Sequence, residues 1–256
     1  MKTNYHTHTY RCGHAIGNDE QYVLAAIEAG LDELGFSDHM PYPDAYNPGD
    51  RMAYDQLNDY IESINFLKDK YKDKIKIYLG FELEFYPERI KYYEEMLDKV
   101  DYLICGQHYK ILDVYGYDWY TSDEDVLVYA SQVVGAIESG LVKMIAHPSY
   151  FMLGRKTWSE ACSEAAHLIC KAAEMYKVPL EINLKGTKYG KSTYNGIESY
   201  RYPNLMFWQI ASHYKIDAIV SADAHAPIYL MEMDFFQTME KDFKDLGINI
   251  IDHLEI

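Results

Sequence analysis

The chain carries ten histidines, and most of them stand close to a carboxylate or to one another. His6-Thr-His8 opens the series and His14 follows; Asp38-His39, Glu82, His108, His147 and Asp223-Ala-His225 come later. In an extended segment residues i and i+2 share a face. His6 and His8 therefore project together, and Asp223-Ala-His225 repeats the arrangement with one carboxylate. Imidazole and carboxylate donors without thiolate suit Zn, Mn or Fe. One HxH pair is equally at home in an ordinary packed strand. The metal reading rests on the recurrence of these residue types at several separated places.

The elements that must bring them together alternate along the chain. Strand-like runs cover Asn4–His8, Glu33–Ser37, Lys76–Glu82, Tyr102–Gln107, Val142–Ala146, Leu180–Asn183 and Ala218–Ser221. Helical patterns fall between them and after the last, over Glu20–Ala29, Tyr54–Tyr71, Glu88–Leu97, Asp123–Ser139, Ser159–Tyr176, Leu205–His213 and Met231–Leu246. Gly30, Gly140 and Gly247 sit where helices would stop. Such alternation predicts an α/β fold with a parallel sheet, and at 256 residues the sheet is expected to close into a barrel forming one domain over residues 1–256. In a βα barrel the loops leaving the C-terminal strand ends build the active site. Seven histidines fall at such ends, whereas His167, His213 and His253 do not. A converging site is the expectation.

Composition narrows the partners. Apolar residues make up 48% and charged residues 25%, which fits a folded globular chain. The net charge of −16 lacks the basic footprint that nucleic acid or anionic lipid requires. No run approaches the roughly 18 to 20 apolar residues that span a bilayer, and the opening Met1-Lys-Thr-Asn-Tyr-His contains no apolar stretch of the signal-peptide kind. Cys12, Cys105, Cys162 and Cys170 form no CxxC pair, so neither a disulfide framework nor a zinc ribbon is expected, and a reducing cytoplasm is the default. Cys12 and Cys105 read as small packed thiols. The tail Ile248–Ile256 fits either a packed end or an interface strand, which leaves the oligomeric state open.

The run His6-Thr-His8-Thr-Tyr-Arg-Cys-Gly-His14-Ala resembles the first motif of the PHP (polymerase and histidinol phosphatase) family, and is most similar to its histidinol-phosphatase branch. Gly35-Phe-Ser-Asp38-His39-Met-Pro, Gly80-Phe-Glu82-Leu-Glu84-Phe, Gly106-Gln-His108, Ala146-His147-Pro148 and Ser221-Ala-Asp223-Ala-His225 continue the likeness over residues 6–225. The resemblance implies a distorted seven-stranded (β/α)7 TIM-like barrel holding three divalent metal ions. One would take His6, His8, Glu82 and Asp223; a second Glu82, His108 and His147; a third His14, His39 and His225. It further implies hydrolysis of L-histidinol phosphate, a step of histidine biosynthesis, by a metal-bound hydroxide. Three dications against two carboxylates leave such a site at about +4, enough to capture a phosphate at contact distance inside an acidic protein.

Other residues join as candidates. Asp38, beside His39, is either the acid that protonates the leaving group or an acceptor that orients a ligand imidazole. Arg155 and Lys188 are candidate phosphate contacts, with Lys188 standing where this branch more often has Arg. Glu84 faces the same side as Glu82, toward a substrate amine or a loop. Tyr42, Tyr109 and Tyr150 follow ligand motifs and would suit the walls of an imidazole pocket. A loop rich in Pro, Gly and Asp over residues 44–52 is the natural place for a lid. Three other readings compete: a related phosphoesterase acting on another small ester or nucleotide, an amidohydrolase-type barrel, and a scaffold with a dead site. Glu82 in the bridging position argues against the second, and nine filled ligand positions argue against the third.

Overall fold

A parallel sheet covered on both faces must be apolar on both sides unless one side carries function. The computed structural model describes residues 2–256, leaving Met1 of the N-terminal stretch outside the description, and shows such a sheet, strongly curled. Thr3–Asn4 (β1), Glu33–His39 (β2), Lys76–Leu83 (β3) and Tyr102–Cys105 (β4) pair in chain order, all parallel. A short antiparallel hairpin follows, Tyr109–Ile111 (β5) with Tyr115–Gly116 (β6). Leu180–Asn183 (β7) begins a second parallel group. After a further hairpin, Lys191–Tyr194 (β8) with Ile197–Tyr200 (β9), this group is completed by Asp217–Ser221 (β10) and Asn249–Ile250 (β11).

Two expectations change here. Val142–Ala146 is not a full strand: Cys105 N donates to Met144 O and Glu181 N to Ile145 O, but only Ile145 is bridged to both neighbours, Cys105 and Leu180. The chain turns out of the sheet at His147, whose φ is +32°. The C-terminal tail is packed, with β11 along β10 and Leu254 buried. A further parallel bridge, Thr7 to Ala224, links the N-terminal segment to the chain leaving β10. The two hairpins have no counterpart in the expected element list.

The helices lie close to expectation: Asp19–Glu28 (α1), Leu57–Tyr71 (α2), Ile90–Leu97 (α3), Asp123–Ser139 (α4), Glu160–Tyr176 (α5), Leu205–Ala211 (α6) and Met233–Asp245 (α7). Helix α4 shows why its ends were legible. The Ser122 hydroxyl accepts from Asp125 N while the Asp125 carboxylate accepts from Ser122 N, and Gly140 closes the helix at φ +70°. Among the described residues no helix is long and apolar enough to cross a membrane.

Alternation along β3 divides the core. Ile77, Leu79, Phe81 and Leu83 pack outward beneath the helices, and Tyr78, Gly80 and Glu82 face inward. Tyr5, Tyr78, Tyr102, Ile104, Met144, Ala146, Ile219 and Leu254 form a separate inner cluster. With the N-terminal part of the curl filled, polar side chains are left the C-terminal strand ends. Asn4, fully buried, ties the curl across β1 and β10: its Nδ2 donates to His6 O at 2.9 Å and Thr7 Oγ1 at 2.8 Å, and its Oδ1 accepts from Ala222 N at 2.7 Å. Replacing Asn4 by Ala takes the partner from Ala222 N and Thr7 Oγ1, while His6 O keeps Ala224 N, at about 1 kcal/mol or more for each stranded group. Urea denaturation of Asn4→Ala, metal-stripped, should show a loss of about 2–4 kcal/mol; an unchanged midpoint would contradict this role.

Candidate metal centre

Glu82, at the end of β3 and 1% exposed, stands at the middle of the histidines. Its Oε1 lies 2.9 Å from His147 Nε2, 3.3 Å from His6 Nε2 and 3.6 Å from His108 Nε2. Its Oε2 lies 3.1 Å from His39 Nδ1 and 3.6 Å from His8 Nε2. Asp223 Oδ1 closes one side, 3.1 Å from His8 Nε2 and 3.6 Å from His6 Nε2. At the cavity mouth His14 Nε2 and His225 Nε2 face each other at 2.8 Å. All nine residues anticipated as ligands therefore converge.

Four of the rings are aimed by an acceptor behind them. His6 Nδ1 meets Glu181 Oε1 at 2.7 Å, His108 Nδ1 meets Glu84 Oε1 at 3.1 Å, His14 Nδ1 meets Gly49 O at 3.0 Å and His225 Nδ1 meets Asp223 O at 3.0 Å. An Nδ1–H donated to these acceptors leaves Nε2 unprotonated and pointed inward, the arrangement that fixes ligand imidazoles in metal sites. Glu181 also accepts from His147 N and from Asn183 Nδ2, whose amide reaches Asp223 Oδ2 as well. Glu181 and Asn183 were not anticipated. The signal was present, since Glu181-Ile-Asn183 puts two polar side chains on the inner face at a strand end.

The backbone is bent to serve this geometry. His147 and Asp223 take φ of +32° and +49°, a region that favours glycine, and strain of this kind gathers at functional sites. Gly106 is needed for space: a Cβ there would lie 1.8 Å from Glu82 Oε1.

Burial and charge set the protonation states. Burial disfavours a charged His6, but Glu181, Asp223 and Glu82 outweigh it and hold that imidazole well above its usual range. His8 falls to about 3 because burial dominates. Burial and then the neighbouring His8 hold His39 and His225 well below the ordinary range. Burial pushes Glu82 up, and His6, His108 and His39 more than reverse this. Burial, opposed and outweighed by Glu82 and Glu84, leaves His108 raised as well, whereas His8, His39 and His225 are held neutral and able to act as ligands.

These residues suit divalent cations. His6 Nε2, His8 Nε2, Glu82 Oε2 and Asp223 Oδ1 are buried without a hydrogen-bond partner among the described residues. Such orphans are costly unless something binds them. Donors sharing an ion at about 2.0–2.2 Å stand roughly 2.8–3.6 Å apart, and the spacings above match. His6–Glu82–His147, His6–His8–Asp223 and His8–His39–His225 each form a compact group.

The remaining candidates fare differently. Asp38 is buried on the face of β2 opposite His39, accepting from the Thr9 hydroxyl and from His39 N at 2.8 Å, with His8 Nδ1 3.4 Å away. Burial raises its carboxyl to about 6, and it does not line the cavity. Glu84 is engaged by Arg51 and His108, which corrects the idea of a substrate contact. Arg155 is likewise corrected: its guanidinium binds Asp123 Oδ1 at 2.6 Å, Thr121 O and Ser159 Oγ, away from the histidines. Lys188 lies over the Tyr229 ring and 3.8 Å from Glu232. Tyr42 is buried beneath Arg51 and Arg89. Arg51 ties the end of the 44–52 loop to Glu84 and Asp113.

The cavity above the donors holds about 240 Å³ and is walled by Tyr109, Tyr150, Tyr189 and Tyr202, with Asp50, Asp118 and Lys185 also at its surface. Lys185 was overlooked in favour of Lys188. Gly106→Ala, which drives a methyl group into Glu82, should lower bound metal and activity together by about 100-fold, the upper range for disturbing a ligand's support. Metal analysis and kinetics on the folded variant check this, and retention of full metal content would refute it.

Comparison with known proteins gives the same direction. Residues 4–185 match the family model described as PHP domain. A relative from Deinococcus radiodurans, named probable histidinol-phosphatase, is 29% identical over 94% of this chain and 92% of its own length. The Bacillus subtilis histidinol-phosphatase is 25% identical over 88% of this chain and 94% of its own. The crystal structure of histidinol phosphate phosphatase from Lactococcus lactis, complexed with zinc, L-histidinol and phosphate, superimposes with a TM-score of 0.70 over 99% of this chain and 97% of that one, at 17% identity. With the family model spanning well over half of the sequence, the chain belongs to the PHP domain family.

Proposed function

We propose that this protein is a histidinol-phosphate phosphatase, a phosphoric monoester hydrolase converting L-histidinol phosphate and water to L-histidinol and phosphate. The observation that carries the reading is the cluster of nine imidazole and carboxylate donors at the floor of a small tyrosine-walled cavity. The names of the full-length relatives support the substrate. We further read the curled sheet as a distorted seven-membered barrel, supported by the single-residue bridges at Ile145 and Thr7, and the protein as cytoplasmic.

In this reading three divalent ions, Zn, Mn or Fe, are held by His6, His8, Glu82 and Asp223, by Glu82, His108 and His147, and by His14, His39 and His225. Such ions polarise phosphoryl oxygens and make a nucleophile of water near neutral pH. The protein's own groups supply orientation. Glu181, Glu84 and the Gly49 carbonyl keep three Nε2 atoms aimed inward, so little rearrangement is needed when ions bind. Tyr150, edge-on to His108 at 5.0 Å between ring centroids, and Tyr202 offer faces on which a substrate imidazole can rest. Asp38 acts as the orienting acceptor behind His8 and not as an acid, because its side chain lies on the wrong face of β2 to reach a leaving group.

Phosphate release tests the substrate. Metal-stripped protein reloaded separately with Zn, Mn and Fe should hydrolyse histidinol phosphate about 100-fold better in kcat/KM than sugar, amino-acid or nucleotide phosphates, roughly 2.7 kcal/mol of transition-state discrimination. Uniformly slow turnover that still requires metal would keep the site and reject the substrate. Asp38→Asn tests the orienting role. It should cost about 10-fold equally on an alkyl phosphate and on an activated aryl phosphate. A loss confined to the alkyl ester would make Asp38 the acid after all.

A further inference from the structure

Among the described residues, Lys185 is the one lysine or arginine that lines the cavity. The cations that the sequence offers for phosphate are engaged elsewhere, Arg155 with Asp123 and Lys188 against Glu232 and Tyr229. We propose that Lys185 anchors the phosphoryl group of the substrate, a contact made by the ammonium at the rim of the His14–His39–His225 donors. The inference rests on the phosphatase reading above and assigns the charge that this reading leaves without a side chain.

Three observations support it. Lys185 Nζ lies 3.0 Å from His225 Nε2 and 3.8 Å from Asp223 Oδ1, at the edge of the donor cluster where a phosphoryl group touching bound ions has to sit. Once His225 Nε2 is taken up as a ligand, the ammonium loses its hydrogen-bond acceptor. Its three N–H donors then face the cavity, and a phosphoryl oxygen is the group that satisfies them. Its backbone cannot retreat. Gly186 N donates to Asn183 Oδ1 at 3.2 Å, and a Cβ on Gly186 would come within 2.0 Å of Tyr202 O, so the turn Lys185–Tyr189 is clamped on Tyr202. The side chain, 25% exposed, keeps the freedom to swing from His225 to a substrate. Because an ammonium is a compact point charge without a fork, it follows the phosphoryl group through a change of geometry without a fixed pair of bonds.

The test compares Lys185→Met and Lys185→Arg with the wild-type holoenzyme. Lys185→Met should lose about 10- to 100-fold in kcat/KM on histidinol phosphate and on an aryl phosphate alike, the range of a hydrogen bond to a charged group. Inhibition by inorganic phosphate should weaken by a similar factor, metal per chain should be unchanged, and Lys185→Arg should recover most of the phosphate affinity. Wild-type phosphate inhibition in Lys185→Met, or a loss of activity that merely tracks lost metal, would overturn the proposal. Calorimetric titration of the metal-loaded proteins with inorganic phosphate separates the two readings. If the wild type fails on histidinol phosphate but binds phosphate at least 10-fold more tightly than Lys185→Met, the substrate is wrong and Lys185 stands. If the wild type turns over histidinol phosphate and Lys185→Met does so equally well, Lys185 falls and the phosphatase stands. A wild type that neither binds phosphate nor turns over any ester removes both.

Discussion

Everything at the C-terminal end of the sheet is arranged around one buried carboxylate. Glu82 is 1% exposed and has five imidazoles, those of His6, His8, His39, His108 and His147, within 3.6 Å. Burying a carboxylate is unfavourable unless positive charge comes with it. The rings also crowd each other, with His108 Nε2 3.2 Å from His147 Nε2 and His14 Nε2 2.8 Å from His225 Nε2. Two unprotonated nitrogens at such distances repel. Either one of each pair carries a proton on Nε2, or a cation stands between them. Metal binding and the stability of this end of the fold are therefore one free-energy term.

The layers beneath follow from that constraint. Behind the donors come the acceptors, Glu181, Glu84 and Asp38, which are themselves buried and must be satisfied. Glu84 is held by Arg51, which outweighs burial and keeps its carboxyl low, at about 2. Arg51 in turn fastens the loop that carries Gly49 and Asp50 to the cavity wall. Below lies the inner cluster of Tyr5, Tyr78 and Tyr102, with Tyr102 OH donating to Tyr5 O at 2.7 Å. Stability is concentrated at the N-terminal strand ends and chemistry at the C-terminal ends. Strained backbone at His147 and Asp223 is tolerable because rigid packing lies underneath it.

Part of the donor set was legible from strand parity, which is a strict rule. Alternation pointed to His6 with His8, and the same rule would have admitted Glu181 and Asn183. Asp223 and His225 lie beyond β10, where Asp223 takes φ +49° and a bend, not strand parity, brings them in. The cationic residues were not legible for a different reason. Arg155 follows the His147-Pro148 motif, but the chain leaves that strand end through a 3-10 turn over Tyr150–Gly154, which delivers the guanidinium to the N-terminus of α4. Lys185 and Lys188 are three residues apart on another 3-10 turn, where i and i+3 eclipse. Sequence spacing cannot choose between eclipsed lysines. The choice is made by Glu232 and the Tyr229 ring, which come from the far end of the chain and capture Lys188. Val142–Ala146 was overread because a short apolar run reads as a buried strand, whereas its bridging is confined to Ile145.

Asn4 shows how closely the site depends on the fold. Its amide binds His6 O and Thr7 Oγ1 on one side and Ala222 N on the other. The backbone that presents His6 and His8 is thereby locked to the backbone that presents Asp223 and His225. Those segments lie more than two hundred residues apart in sequence, yet their donors must agree to within a fraction of an ångström for one ion to satisfy both. A local acceptor behind an imidazole, as at His6, His14, His108 and His225, sets only ring orientation. The distance between rings on different strands is set by the register of the curl, and Asn4 fixes that register where the segment leaving β1 meets the segment leaving β10. Donors that stand on separate strands need such a tie, because no pair of ligands along a single strand is sufficient to hold an ion.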